Sequence, residues 1–315
     1  MEIFRMGDYL KKAREDQKRT QEEVCEGICE APTLSRLENN ERAPAYNRLV
    51  ALLQRLGLPD DRFYALLSPK ETKIGALQKE ITSASIWYVQ REGEEKRQIR
   101  EEGIAKLQEL EQVAGSDDRL IEQFALSMRA IFGTQEGDYS PEEQLFMLME
   151  AIRKTVPRFD LEEINRHLYS SNETQIINQI AIAYSKSGDH EKAVDIYSQL
   201  LKYAETHYQQ ITQSAGHLPL ICSNYAIELG LCKRYEKAIK IAERGWEASI
   251  KYGYYLFLPE LIHIVAECQY HLGNTKQSKT LYTQSYCVYQ AVGDQHNLQI
   301  LRSEAQKYLN LTFDF

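Results

Sequence analysis

The chain contains no stretch that predicts a membrane helix or a secretion signal. Its first residues, MEIFRMGDYLKKAREDQK, lack the apolar core of a signal peptide. No later apolar run approaches the roughly 20 residues that a membrane span requires. We therefore predict a cytoplasmic protein with no membrane partner.

Glycine and proline are scarce, at 16 and 8 of 315 residues, and long sections contain no cluster of turn-forming residues. This composition favours an all-α fold. The hydrophobic residues, 43% of the chain, suffice for the cores of one small domain and one larger domain.

The cysteines form no CxxC pair and have no histidine at metal-ligand spacing. Without a signal peptide, this indicates reduced, buried thiols that serve packing. Cys25 and Cys29 are one helical turn apart, so a redox or metal role is the alternative for that pair. The six cysteines are Cys25, Cys29, Cys222, Cys232, Cys268 and Cys287.

Catalytic motifs are also missing. The sequence has no phosphate-binding glycine loop, no HExxH pair and no nucleophile elbow. We expect a protein that is not an enzyme and that needs no cofactor and no metal.

The most informative stretch spans residues 20–40, TQEEVCEGICEAPTLSRLENN. Thr20 followed by Glu23 is a capping box that begins a short helix. A proline suits the first turn of a second helix, in which Leu34 and Leu37 face inward. Two short amphipathic helices joined by a tight turn predict a helix-turn-helix, whose second helix enters the major groove of DNA.

The same stretch resembles the helix-turn-helix of XRE/Cro-type repressors, with TQEEV opening one helix and LSRLENNERAP closing the next. The GIC at 27–29 and its short spacing to SRLE are most similar to the RRNPP group, the peptide-responsive regulators of Gram-positive bacteria. This resemblance implies a lambda-repressor-like domain of five helices, predicted at residues 1–69. It also implies a homodimer bound to a double-stranded DNA operator.

The DNA-contacting residues follow from that resemblance. Arg36 is suited to donate two hydrogen bonds to guanine, worth about 1–3 kcal/mol of discrimination; the alternative is an ion pair with Glu22 or Glu23. Residues 1–69 carry 11 Lys and Arg against 12 Asp and Glu, so phosphate contact depends on a basic face that includes cations such as Arg14. The predicted DNA-binding residues are Gln21, Ala31, Thr33, Ser35, Arg36, Asn40 and Arg42.

The chain repeats itself from Glu173 onward. The segment IINQIAIAYSKSGDHEKAVDIYSQLL resembles a tetratricopeptide unit, in which Ala181 and Ala193 allow close helix approach and Gly188 makes the turn. Weaker copies follow in SNYAIELGLCKRYEKAIKIAERG and IHIVAECQYHLGNTKQSKTLYTQS. These repeats predict a tetratricopeptide-like α-solenoid.

The remaining boundaries are predicted from turn and capping signals. Ser68 and Pro69 mark the end of the first domain, and residues 70–102 are predicted as a connector helix. Residues 103–315 are predicted as a peptide-binding and dimerisation domain, with degenerate pairs at 103–132 and 141–170 and a closing helix at Leu298–Leu311.

The resemblance implies a short signalling peptide as a second partner, held on the inner face by the first helix of each repeat. An asparagine amide can donate to and accept from an extended peptide backbone at once. The alternative is that Asn178 and Asn224 cap or bridge neighbouring helices, and His263 is not expected to act as a catalyst or metal ligand. The predicted peptide-binding residues are Gln175, Asn178, Ile182, Ser185, Asn224, Ile227, His263 and Glu267, with Glu260 on the same face.

These features together predict a transcription regulator of the quorum-sensing type, in which an imported peptide alters the arrangement of a DNA-binding dimer. Two alternatives stay open. In the first, the regulator is independent of peptide and its solenoid is a protein-interaction scaffold. In the second, the solenoid has enzymatic or phosphatase-blocking activity and the helix-turn-helix is vestigial.

Overall fold

The computed structural model describes residues 5–41, 45–59, 68–115, 118–134, 137–207 and 217–313, and this part of the chain is helical. No strand occurs within these ranges, which confirms the predicted all-α class. None of the helices there combines the length and the apolar character that a bilayer crossing demands. The chain divides into two compact units, Met1–Ser187 and Gly188–Phe315.

Four short helices enclose the core of the N-terminal domain (residues 5–59). Leu34 faces inward as predicted, and it is almost completely buried in one cluster with Leu10, Val24, Leu49 and Leu52. The fifth helix, predicted at 60–67, lies outside the described residues. The four helices are α1 (Met6–Asp16), α2 (Gln21–Cys25), α3 (Ala31–Glu38) and α4 (Tyr46–Arg55).

Five longer helices follow among the described residues of the first unit. They are α5 (Pro69–Gln90), α6 (Gly93–Ala114), α7 (Arg119–Phe132), α8 (Pro141–Thr155) and α9 (Ser171–Lys186). The segment predicted as one connector helix, 70–102, holds α5 and the mostly exposed start of α6, and these two helices pack against each other. Capping boxes begin α5, α8 and α9, because a serine hydroxyl and a glutamate three residues later satisfy each other's backbone N–H groups.

The predicted helical pair at 141–170 is wrong in its second half. Only α8 is a regular helix there, and the described residues from 156 to 170 contain one three-residue 3-10 turn, Ile164–Arg166. α8 packs against α7 and α9 instead. The segment after α8 carries Phe159, Ile164 and Leu168 into the protein core, so its apolar residues serve packing without helical periodicity.

Stacked helical pairs form the second unit, which confirms the repeats predicted there. They are α10 (His190–His207), α11 (His217–Leu231), α12 (Tyr235–Tyr252), α13 (Leu258–His271), α14 (Thr275–Val292) and α15 (Gln295–Leu309). The two weaker copies carry small residues at the corresponding positions, and Ala226, Ala238 and Ala266 are fully buried there. At Gly245 a Cβ atom would lie 2.6 Å from the Cβ of Cys222, so α11 and α12 approach too closely for any other residue.

The cysteines are all free thiols, but not all are buried. Cys25, Cys222 and Cys268 are buried as predicted, whereas Cys287 is exposed. Its position in the helical period of α14 places Cys287 off the stripe that carries the buried Tyr282, Tyr286 and Tyr289.

Candidate functional site

The two helices of the predicted helix-turn-helix, α2 and α3, have the expected cap and the expected buried residues. The Thr20 hydroxyl accepts from the Glu23 N–H at 3.2 Å, and the Glu23 carboxylate accepts from the Thr20 N–H at 2.7 Å. Val24 is buried on α2, and Leu34 and Leu37 are buried on α3. These contacts fix α3 against the core and leave its opposite side facing outward.

Arg36 lies on that outer side of α3. Its side chain is exposed, and no hydrogen bond or ion pair to another described residue holds it. The alternative ion pair with Glu23 is not formed, because that carboxylate accepts from Arg19 at 3.0 Å and from the Thr20 backbone. The neighbouring Ser35 is half-buried.

Two other residues predicted to contact DNA make hydrogen bonds within the domain. The Gln21 amide donates to Glu38 at 2.8 Å. The Asn40 side chain accepts from the Gly7 N–H at 2.9 Å and donates to Asp8 at 3.0 Å, so it fastens the end of α3 to the start of α1. A phosphate contact by the Asn40 side chain would require these bonds to break.

The remaining predicted contacts lie at the first turn of α3. Ala31 is half-buried and packs against the domain core, while Thr33 is half-buried beside a cavity of about 260 Å³. Arg42 lies outside the described residues. Arg14 does not belong to an open basic face, because its guanidinium donates to the buried Glu38 at 2.6 and 2.9 Å.

A buried arginine joins the N-terminal domain to the rest of the first unit. Arg55, the last residue of α4, has 1% of its surface exposed. Its Nη1 donates to the backbone carbonyls of Val24 and Glu26 at the end of α2, at 3.1 and 2.7 Å. Its Nη2 donates to the Thr155 carbonyl at 3.0 Å and to Glu173 at 2.7 Å. One guanidinium thus links α2 and α4 to α8 and α9.

Glu173 is the counter-charge and is fully buried. Its carboxylate also accepts from the Ser170 N–H at 2.6 Å, as the third residue of the capping box of α9, and from the Thr155 hydroxyl. Burial by itself would raise the pKa of Glu173, but the Arg55 charge and these hydrogen bonds outweigh it and hold the pKa below its ordinary value. The carboxyl is therefore ionised at neutral pH.

The turn after α2 packs directly on the end of α8. Gly27 has φ 70°, and a Cβ atom there would lie 2.2 Å from the Thr155 carbonyl oxygen. Only glycine adopts this left-handed conformation at little cost and, because it has no Cβ atom, allows the turn to lie this close to the Thr155 backbone. The N-terminal domain is thus fixed by the same Thr155 carbonyl that accepts from Arg55.

Two cavities border this contact. The larger, of about 580 Å³, is lined by parts of α2, by Ala31 and Pro32, and by residues between 156 and 168. The smaller is lined by Thr33, Arg48 and residues 118–120. Across these cavities the first turn of α3 therefore faces the segment 156–168 and the start of α7, whereas Arg36 lines neither cavity.

The sequence prediction missed this network, although two signals were present. Arg55 follows Leu52 and Leu53 and precedes Leu56, so a charged residue lies within the apolar stripe of α4. Glu173 stands three residues after Ser170, a spacing that predicts a capping box. The capping box is formed, but the same carboxylate also pairs with Arg55. A charge on a buried helix face requires a partner, and here the partner is 118 residues away.

The predicted peptide-facing residues of the first unit lie on α9. Gln175, Ile182 and Ser185 are half-buried, while Asn178 is buried with 4% of its surface exposed. Little of the Asn178 amide is therefore accessible, which favours the structural alternative for that residue. α9 carries these residues along its length and Glu173 in its first turn.

The predicted peptide-facing residues of the second unit lie on α11 and α13. Asn224 and Ile227 are half-buried, and Asn224 hydrogen-bonds with Tyr197 of α10, so it bridges neighbouring helices. His263 contacts the Glu304 carboxylate at 2.7 Å. Burial and the nearby Glu304 raise the pKa of Glu267. The α13 side of this face is thus rich in carboxylates.

Comparison with known proteins agrees with this architecture. Residues 10–63 match the family model described as Helix-turn-helix. No curated protein sequence matches the chain. The fold is similar to that of PlcR of Bacillus thuringiensis in complex with the peptide PapR7 and DNA, with 17% identity over 95% of this chain and 99% of that one and a TM-score of 0.57. PlcR in its apo form is similar with 18% identity, coverage of 94% and 97%, and a TM-score of 0.53.

These similarities confirm the resemblance seen in the sequence at the level of domain and fold. The helix-turn-helix match covers α2, α3 and α4, the helices that the buried core and the capping box hold together. Residues 10–63 thus form a domain of the helix-turn-helix family, and the chain has the fold of PlcR.

Proposed function

We propose that this protein is a transcription regulator that binds a DNA operator through α3 and responds to a short signalling peptide that contacts its repeat helices. One observation carries the proposal. α9 bears predicted peptide-facing residues such as Ile182, and its first turn holds Glu173, which is paired with Arg55 of the helix-turn-helix domain. A ligand that displaces α9 would act on the helix that holds the DNA-binding domain.

On the DNA side, the exposed Arg36 is the group best placed to read a base. A guanidinium matches the O6 and N7 acceptors of guanine with two parallel hydrogen bonds. A homodimer would present two such helices to half-sites about one helical turn, or a multiple of it, apart.

Substitution of Arg36 tests this assignment. R36A is expected to weaken binding to an operator in the DNA upstream of the gene that encodes this protein by about 5- to 150-fold, because base contacts worth about 1–3 kcal/mol are lost. R36K is expected to lose most of the same discrimination, since an ammonium cannot make the paired contact. Fluorescence anisotropy with labelled DNA measures both.

The control for that experiment is R97A, which removes an exposed arginine from α6. It should bind DNA as the wild type does. Unchanged affinity of R36A on every fragment tested would contradict the role of α3 as the reading helix.

On the peptide side, a ligand shifts the protein only if it binds one arrangement more tightly than the other. By linkage, operator DNA must then change the affinity for peptide by the same factor as peptide changes the affinity for DNA. PlcR, whose fold this chain shares, has been solved with both a peptide and DNA.

Ile182 provides the test of the peptide face. Short peptides extracted from spent medium are titrated while the fluorescence of Trp87 and Trp246 is followed. I182A is expected to lower the affinity of a binding peptide about tenfold, since full burial of an isoleucine side chain contributes about 1.5–3 kcal/mol and Ile182 is already half-buried without peptide. I250A removes an isoleucine that is 55% exposed on α12 and should leave peptide affinity unchanged.

An equal loss in both isoleucine variants would contradict the assignment of this face. A partner protein recovered from extract, with no peptide that binds, would favour the scaffold alternative.

A further inference from the structure

Two thiols lie one helical turn apart where α2 ends. Cys25 is the last residue of α2 and is buried with 2% of its surface exposed, whereas Cys29 is half-buried. The Cys29 N–H donates to the Cys25 carbonyl at 3.1 Å, which places both side chains on one side of the turn. Both side chains line the larger cavity, and the Cys25 thiol donates to the Gln21 carbonyl at 2.7 Å. Side chains four residues apart in a turn closed by such a bond lie about 5–6 Å from each other at Cβ. This spacing is compatible with a disulfide, which tolerates Cα atoms about 4.4–6.8 Å apart.

The two sulfurs have different surroundings. Cys29 lines both cavities beside the helix-turn-helix, so a small molecule can reach it. The adjacent Cys25 and the charges of Arg48 and Arg55 lower the pKa of Cys29, and burial opposes them. The adjacent Cys29 and burial raise the pKa of Cys25, whose thiol donates to the Gln21 carbonyl. One sulfur is thus favoured as a thiolate while its neighbour keeps its proton, which is the arrangement of an attacking and a resolving thiol.

We propose that Cys25 and Cys29 form a redox site in the helix-turn-helix domain, where hydrogen peroxide converts the two thiols into an intramolecular disulfide. The Cys29 thiolate attacks one peroxide oxygen, the O–O bond breaks, and Cys29 sulfenic acid and hydroxide form. The Cys25 sulfur then attacks the Cys29 sulfur, the S–O bond breaks, and the hydroxyl leaves as water with the Cys25 proton. Two thiols lose two electrons in total, and the peroxide is reduced to two waters once the hydroxide is protonated.

The disulfide would change the DNA-binding element itself. The Cys25 sulfur belongs to the domain core, and Cys29 immediately precedes Glu30, the residue before the first turn of α3. A bond of about 2.05 Å would draw the Cys25 sulfur toward Cys29, which packs half-buried at the edge of the same core, and would change the packing of α2 next to α3. The proposal goes beyond peptide sensing, because neither the chemistry nor its detection requires a peptide.

The test uses the reduced full-length chain and hydrogen peroxide, followed by mass spectrometry of the intact protein and of its proteolytic fragments. The wild type is expected to lose two hydrogen atoms and to yield a fragment in which Cys25 and Cys29 are joined. C25S is expected to stop at a Cys29 sulfenic acid, trapped by dimedone, and C29S should leave Cys25 unmodified at the same peroxide dose. C287S is the matched control, since it removes the exposed thiol and should not change the reaction.

Oxidation of Cys287 before Cys29, or of Cys25 in C29S at the wild-type rate, would overturn the proposal. Should a serine variant fail to fold, the wild type alone still decides. The rate of alkylation by iodoacetamide at neutral pH must be greater at the half-buried Cys29 than at the exposed Cys287, and the opposite order refutes the site.

Discussion

Replacing Glu173 by glutamine is expected to lower the free energy of unfolding by about 3–5 kcal/mol. The substitution leaves the Arg55 guanidinium buried with no counter-charge, and the carbonyls of Val24, Glu26 and Thr155 compensate only part of it. Both partners of the ion pair are almost completely inaccessible to water, so solvent cannot take over the lost interaction. Chemical denaturation of the full chain at neutral pH measures the change.

Two comparisons separate this effect from a general loss of charge. E94Q breaks the Glu94–Arg97 pair, whose side chains are 62% and 60% exposed, and should change stability by about 0–1 kcal/mol. The double variant R55M/E173L removes both buried charges and is expected to recover only part of the loss, because the carbonyls of Val24, Glu26 and Thr155 lose their donor. A penalty for E173Q no larger than that for E94Q would contradict the role of the network.

The same pair gives the protein a defined acid sensitivity. Because the pKa of Glu173 is lowered in the folded protein, its contribution is fully present above the unfolded-state value of about 4.3. It is lost as the pH falls through the lower folded-state pKa. The wild type should therefore lose stability more steeply in acid than E173Q, and unfolding curves recorded from neutral pH downward test this difference.

Replacing Gly27 by alanine is expected to destabilise the first unit by about 2–5 kcal/mol. The left-handed backbone at this position costs an L-residue about 1–2 kcal/mol. The new methyl group would also overlap the backbone of Thr155, which cannot rotate away as a flexible side chain could, at a typical cost of about 1–3 kcal/mol. The relief available is movement of the turn between α2 and α3 away from α8.

Gly75 provides the matched control, since it lies within α5 and a Cβ atom there meets nothing within 4 Å. G75A should stabilise the protein by up to about 1 kcal/mol, because alanine is the better helix former. Hydrogen exchange distinguishes the two: in G27A the amides of Arg55 and its neighbours on α4 should exchange faster, and in G75A they should not. Equal stability of the two variants would show that the turn does not need glycine.

The elements that could be predicted depend on neighbours in the sequence. The capping box of Thr20 and Glu23 and the inward leucines of α3 formed as predicted, because three or four residues of helix suffice to bring such groups together. The small residues of the second unit, such as Ala238, were likewise recognisable from their spacing. The segment 156–170 was not, since its apolar residues have no period.

By itself, the sequence determined the all-α class, the helix-turn-helix and the repeats, since each is set by a local period or a cap. Only the tertiary structure decided that Arg55 pairs with Glu173, that Gly27 lies against Thr155, and that Asn40 bonds to α1. Those partners are far apart in the chain, and a buried charge or a missing Cβ does not specify what it will meet. The physical reason is that local hydrogen bonding selects the elements, whereas exclusion of water at their contacts selects the partners.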